Sequence, residues 1–200
     1  MEEPDLELLL HNYRRGDHAS LGRIVDQTRK PLYGFILGMV RDPHAADDVF
    51  QDVWLRAVRG LHRYQSDKLL SWLFRIARNR VIDLSRKRKP DLSMQQPLGG
   101  GPEAVTLETF VASRAPGPDR NTGNRELARR IRAAVDELPP DQKEVFLMRT
   151  EADLPFKEIA SLQGVSINTA LARMQYALRR LRETLAEDHA TLNTFVQKSP

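Results

Sequence analysis

Asp47, Asp48, Gln51 and Asp52 stand close together, and carboxylates at that spacing could hold a divalent cation or act as a general acid and base. No histidine stands at ligand spacing beside them: the five in the chain, His11, His18, His44, His62 and His189, are scattered. The simpler reading is that acidic residues in a first helical turn favour the helix dipole and need no further purpose. A second cluster is basic, because Arg75, Arg78, Arg80, Arg86, Lys87, Arg88 and Lys89 are offset only by Asp83. Pairing within one helix does not absorb that density, so a polyanion is the natural partner for the surplus. Trp72, Phe74 and Asn79 interleave these cations and are able to stack on or hydrogen-bond an exposed base, whereas a solvated helix face is the competing explanation. The third signal lies in residues 156–185, where Ile159 and Ala160 face inward on a short helix, a glycine follows, and Ser166 caps a longer helix. That is a helix-turn-helix order whose second helix can lie in a major groove, and a plain helical hairpin has the same signature.

The elements that must position these groups are helices. Leu21, Ile24, Val25, Leu32, Phe35, Ile36, Met39 and Val40 recur at three-four spacing, with Pro31 expected to kink the segment or start a new helix. Gly34 and Gly38 suggest a close helix-helix contact. Asp42-Pro43 is a start signal for a second amphipathic helix through Ala46, Val49, Phe50, Val53, Trp54, Ala57 and Leu61. After a polar turn at Gln65, Ser66 and Asp67, a third helix should bury Leu69, Trp72, Leu73, Ile76, Ala77 and Leu84 before Pro90 stops it. Residues 90–124, with Gly99-Gly100-Gly101-Pro102 and Pro116-Gly117-Pro118, read as a linker too long for a loop inside one compact domain. Helix resumes with Leu127, Ile131, Ala134, Val135 and Leu138, breaks at Pro139-Pro140, continues through Val145, Phe146 and Met148, and ends on the helix-turn-helix stretch.

Composition agrees with an all-α chain of two small helical domains. At 40% hydrophobic and 29% charged residues it can build packed cores, and 31 Lys+Arg against 27 Asp+Glu leaves a small positive excess whose placement matters more than its size. Without cysteine there is neither a disulfide framework nor a thiolate zinc site. No uninterrupted apolar run approaches the ~18 residues of a membrane span, so no membrane insertion and a cytoplasmic location are expected.

Four stretches taken in order carry a resemblance. They are Ala46-Asp47-Asp48-Val49-Phe50-Gln51-Asp52-Val53-Trp54-Leu55-Arg56, then Ser71-Trp72-Leu73-Phe74-Arg75-Ile76-Ala77-Arg78-Asn79-Arg80-Val81-Ile82-Asp83, then Leu138-Pro139-Pro140-Asp141-Gln142-Lys143-Glu144-Val145-Phe146, and last the stretch from Glu158-Ile159-Ala160 to Arg173. Together they resemble the extracytoplasmic-function sigma factors of the sigma-70 family. The resemblance implies a sigma-2 domain at 5–89, a linker at 90–124, a sigma-4 helix-turn-helix domain at 125–186 and a short tail at 187–200. It implies core RNA polymerase and promoter DNA as partners, often an anti-sigma factor as well, with no cofactor, no metal and no catalytic residue.

By that resemblance Asp48, Gln51, Asp52 and Leu55 dock on polymerase, Asp52 standing where the family more often has glutamate. The loop residues Arg63, Tyr64, Gln65, Ser66 and Asp67 and the helix residues Arg75, Arg78, Asn79 and Arg80 would hold the separated minus-ten strand. Flipping one base costs a few kcal/mol of unstacking, which a pocket and phosphate contacts offset, so opening needs no ATP. Ser166, Thr169, Leu171, Ala172, Arg173, Gln175, Tyr176 and Arg179, with Arg149, would serve the minus-thirty-five element. Leu171 and Tyr176 stand where arginine or lysine is frequent, and each missing arginine-guanine contact removes roughly 1–3 kcal/mol of discrimination. Heavier reliance on groove shape, thymine methyls and phosphate anchors such as Arg149, Arg179 and Arg180 is the expectation. The rivals are a stand-alone helix-turn-helix regulator and, more distantly, a metal-dependent nuclease built on Asp47, Asp48 and Asp52.

Overall fold

A computed structural model describes residues 5–66, 68–88 and 121–197, with side chains described for 5–66, 68–86 and 127–186. Its elements are α1 (Leu6–Arg14), α2 (Ala19–Val40), α3 (Pro43–Leu61), α4 (Leu69–Arg88), α5 (Asn121–Asp136), α6 (Pro140–Ala152), α7 (Phe156–Gln163) and α8 (Ile167–Gln197), with no strand among the described residues. The described parts of 1–98 and 147–165 form one compact unit, and those of 99–146 and 166–200 form another.

In the first unit α2 is the central helix. Ile24, Leu32, Phe35 and Ile36 are wholly buried, as are Leu69, Leu73, Phe74 and Ala77 from α4 and Val53, Ala57 and Leu61 from α3. Phe35 and Phe74 meet at a ring-centroid distance of 5.1 Å. Phe74, which the sequence offered as a base-stacking group, is therefore core: its position in α4 points it at α2, and a ring with no exposure reaches no base. Trp72, Ile76 and Leu84 are half-buried.

Pro31 does not start a new helix, since α2 runs through it from Ala19 to Val40. A proline there removes one bond of the helical ladder. Burial of Ile24 and Thr28 before it and of Leu32, Phe35 and Ile36 after it holds both sides on the same core. Gly34 and Gly38 do mark a close approach: a Cβ on Gly34 would lie 2.7 Å from Glu151 Oε2, and one on Gly38 2.7 Å from Leu147 Cδ1. Burial pushes the Glu151 carboxyl above its ordinary range, with the Lys30 charge opposing.

α3 begins as its sequence signals, the Asp42 carboxylate accepting from the amides of His44 at 2.9 Å and Ala45 at 3.3 Å, with Pro43 in the first turn. α4 is capped from a distance, by Glu7 Oε1 of α1 accepting the Leu69 amide at 2.9 Å.

In the second unit Ala134 and Val135 of α5 are buried, as are Ala170, Ala177 and Leu181 of α8, and Arg130 of α5 donates to the Leu185 carbonyl at 3.4 Å. Leu127 and Ile131, apolar positions that mark this helix in the sequence, are 47% and 40% exposed, while Ala128, Ala134 and Val135 are buried. α5 starts at Asn121, a few residues before the end of the expected linker, and α8 continues to Gln197, through most of the expected tail. The rest of that linker, residues 90–120, lies outside the described residues.

Replacing Asp42 by alanine leaves two α3 amides without their acceptor and should lower stability by about 1 kcal/mol. Urea denaturation followed by helical circular dichroism measures it, and a variant as stable as the parent would show that the cap contributes nothing.

Candidate nucleic-acid and polymerase interface

With the apolar stripe of α3 turned to the core, Asp48, Gln51 and Leu55 fall on its outer face, Leu55 being 60% exposed. Val58, one turn further, adds 37% exposure to the same side. Its three-residue spacing from Leu55, off the buried stripe, was the available and unread signal. Asp47 and Asp52 are engaged otherwise. Asp47 accepts a hydrogen bond from the Tyr33 hydroxyl of α2. Asp52 Oδ1 takes Arg56 Nε at 3.3 Å, and its Oδ2 pairs with Arg80 Nε of α4. Asp47 and Asp52 thus have separate partners, and the described residues hold no group of three potential metal ligands.

The loop between α3 and α4 is rooted by Tyr64. Its ring lies on Trp72 with centroids 4.9 Å apart, its hydroxyl accepts the Lys68 amide at 2.9 Å, and it is 8% exposed. Trp72 in turn fits against Gly60, where a Cβ would come within 2.9 Å of the indole. Tyr64 is thus a support, and its neighbours Arg63, Gln65 and Ser66 are the ones presented to solvent. Asp67 lies outside the described residues. On α4, Arg75, Asn79 and Arg86 are exposed, whereas Arg78 and Arg80 are half-buried. At the start of that helix Lys68 pairs with Glu158 of α7 at 3.0 Å, and Ser71 also hydrogen-bonds Glu158.

The helix-turn-helix stretch owes its turn to Gly164, whose φ of 69° is in the left-handed region. The Val165 amide reaches back to Ala160 O at 3.0 Å, closing the end of α7. Ser166 Oγ then accepts the Thr169 amide at 3.1 Å and caps α8, as the sequence reading expects. With Ala170, Ala177 and Leu181 inward, the outer side of α8 carries Leu171 at 37% exposure, Gln175, Tyr176 at 50% and Arg179. Arg179 lies over the Tyr176 ring at 5.2 Å and stands 3.8 Å from Glu183. Ala172 is half-buried, and Arg173 is tied to Asp141 of α6 at 2.7 Å. Arg149 donates to the carbonyls of Asp153 at 3.0 Å and Leu154 at 3.2 Å and sits over Phe156, so it braces the connection that follows α6.

Residues 24–90 match the family described as sigma-70 region 2, and residues 128–181 match sigma-70, region 4. The ECF RNA polymerase sigma factor SigW of Bacillus subtilis (strain 168) is 26% identical over 175 residues, spanning 87% of this chain and 93% of that one. SigM of the same organism, another ECF RNA polymerase sigma factor, is 27% identical over 165 residues, or 81% and 94%. Among solved structures, the sigma factor RpoE of Bartonella quintana, in complex with the anti-sigma factor NepR, superposes with a TM-score of 0.63 at 20% identity, covering 83% of this chain and 96% of that one. CnrH in complex with the cytosolic domain of CnrY gives a TM-score of 0.64 at 19% identity, covering 92% and 99%. An all-helical chain carrying these two regions in this order is of the sigma-factor class. The chain belongs to the extracytoplasmic-function group of the sigma-70 family.

Burial, and secondly the bond to Asp47, push the Tyr33 hydroxyl from the ordinary 10.0 to about 12. A phenol whose folded pKa is raised stabilises the fold fully below pH about 10, and that contribution is lost as pH rises through about 12. Spectrophotometric titration should find a tyrosine step near pH 12, and Tyr33→Phe should remove that step. A titration with no such late step, or one that Tyr33→Phe leaves in place, shows the assignment of Tyr33 to be wrong.

Proposed function

We propose that this sigma factor binds core RNA polymerase through the outer face of α3, holds the opened minus-ten strand on the loop before α4 and on α4 itself, and reads the minus-thirty-five element with α8. The observation that carries the reading is the charge division of the first unit: an acidic and apolar face on α3, with Asp48, Gln51 and Leu55 exposed, beside the basic helix α4. Asp48, Gln51, Asp52 and Leu55 make the polymerase contact, with Val58 extending it. Arg63, Gln65, Ser66, Asp67, Arg75, Arg78 and Asn79 hold the strand, and Tyr64 keeps their loop in place. Leu171, Ala172, Gln175, Tyr176 and Arg179 face duplex DNA, while Ser166 and Thr169 start the reading helix and Arg173 and Arg149 support it.

On this reading residues 5–89 act as the sigma-2 domain and 125–186 as sigma-4, joined by 90–124 and followed by a tail at 187–200. The protein carries no reaction of its own, since phosphodiester formation belongs to polymerase and base flipping draws only on binding energy. Its place is the cytoplasm, where its template is; no helix among the described residues is long and apolar enough to cross a membrane. An anti-sigma factor is proposed as its regulator because a solved sigma factor of similar fold, RpoE of Bartonella quintana, is in complex with the anti-sigma factor NepR.

Purified core polymerase supplemented with this protein should start transcription from a cognate promoter, and Asp52→Arg should reduce holoenzyme yield while the helical signal persists. A protein that binds duplex DNA but never core polymerase would instead be a stand-alone regulator. Gln175→Ala should relax preference at one upstream base pair by ~1–3 kcal/mol, read by competition binding across single-base promoter variants. An unchanged preference at every upstream position removes Gln175 from base readout.

A further inference from the structure

Arg80 sits in the middle of the basic helix and was read from the sequence as a strand contact, yet its surroundings are acidic. Its Nε pairs with Asp52 Oδ2 on α3, and its Nη1 stands 3.7 Å from Asp83 Oδ2 one turn further along α4. The second oxygen of Asp52 is held by Arg56 Nε at 3.3 Å. One short carboxylate therefore has each oxygen held by an arginine of a different helix. The Arg80 and Asp52 side chains are 25% and 30% exposed, partly withdrawn from water. A guanidinium already matched by two carboxylates is not free to neutralise a phosphate and displace the counterions condensed on the nucleic acid, so it adds little to affinity or to salt dependence. Its ion pair with Asp52, between two atoms withdrawn from water that have no hydrogen-bond partner, draws that carboxylate toward α4 by charge attraction.

We infer that Arg80 is a positioning residue for Asp52 and not a strand contact: it fastens α4 to α3 and aims the Asp52 carboxylate at polymerase. The same bond couples the two working faces, since a shift of α4 on meeting DNA moves the carboxylate that holds the enzyme. This inference rests on the docking reading above, which supplies the role of Asp52.

The test uses the full chain, purified core polymerase, and a fluorescent single-stranded oligonucleotide carrying the non-template minus-ten sequence of a promoter mapped for this protein. Arg80→Ala should weaken core binding roughly tenfold and have no further effect in an Asp52→Asn background, as expected of two groups acting through one bond. Arg80→Lys should recover part of that loss, which separates aiming by charge from general destabilisation. The slope of log affinity against log salt for the oligonucleotide on holoenzyme should be unchanged by Arg80→Ala but shallower by ~0.7 in Arg75→Ala. A slope shallower by ~0.7 for Arg80→Ala, or a loss of core binding that adds in full to that of Asp52→Asn, overturns the inference and leaves the docking reading standing. Normal core binding by Asp52→Arg brings down the docking reading itself, and the inference with it.

Discussion

Phe35 and Phe74, both without exposure, lock α2 against α4, and the polar layout of the first unit follows from that contact. A helix in a bundle has one apolar stripe, and once it is spent on the core the remaining faces are assigned by 3.6-residue geometry alone. α3 buries Ala46, Val49, Val53 and Ala57 and must therefore turn Asp48, Gln51 and Leu55 outward. α4 buries Leu73, Phe74, Ala77 and Val81 and must turn Arg75 and Asn79 outward. The opposite charges of the two faces are held at a set spacing by apolar packing. Electrostatics between the helices enters chiefly at Asp52 and Arg80.

Local neutralisation then decides what each charge can do. Asp47 goes to Tyr33, Arg149 to two carbonyls and Arg173 to Asp141. A group held in this way shapes the surface more than it reaches from it, because breaking its bond offsets much of what a new contact gains. Exposed neighbours such as Asp48, Gln51, Arg75, Asn79 and Gln175 carry no such prior claim in the geometry described above. Charge counts along a helix overstate its interface for this reason.

The same distinction sets what could be read from the chain. Helix positions were legible because three-four spacing and start signals such as Asp42-Pro43 are local, and the Gly164 turn and Ser166 cap were legible likewise. Of the two readings of Pro31, a new helix fails because the rule for proline is local too, whereas the burial that carries α2 through it is tertiary. Phe74 misled because spacing places a ring on a helix face without saying which faces meet. The Glu7 cap on α4 joins residues 62 positions apart, and the Asp52–Arg80 pair likewise joins two helices. No window of sequence contains either bond. The family resemblance gave roles to positions but not the partners that bind their side chains.

On the proposed reading α8 works with few direct tools. Its outer side offers Leu171, Gln175 and Tyr176 where a guanine-reading helix would carry arginines, so discrimination by bidentate contact is limited to what Gln175 can reach. Arg179 lies over the Tyr176 ring, which restricts its rotamers before any DNA is met. An arginine ordered in advance loses less entropy on meeting a phosphate, so the pair favours firm placement of the helix over readout of a particular base. Specificity must then come largely from the shape and stiffness of the upstream duplex and from the minus-ten strand, where Asn79 and the loop at Gln65 and Ser66 present hydrogen-bonding groups to bases that have left the stack.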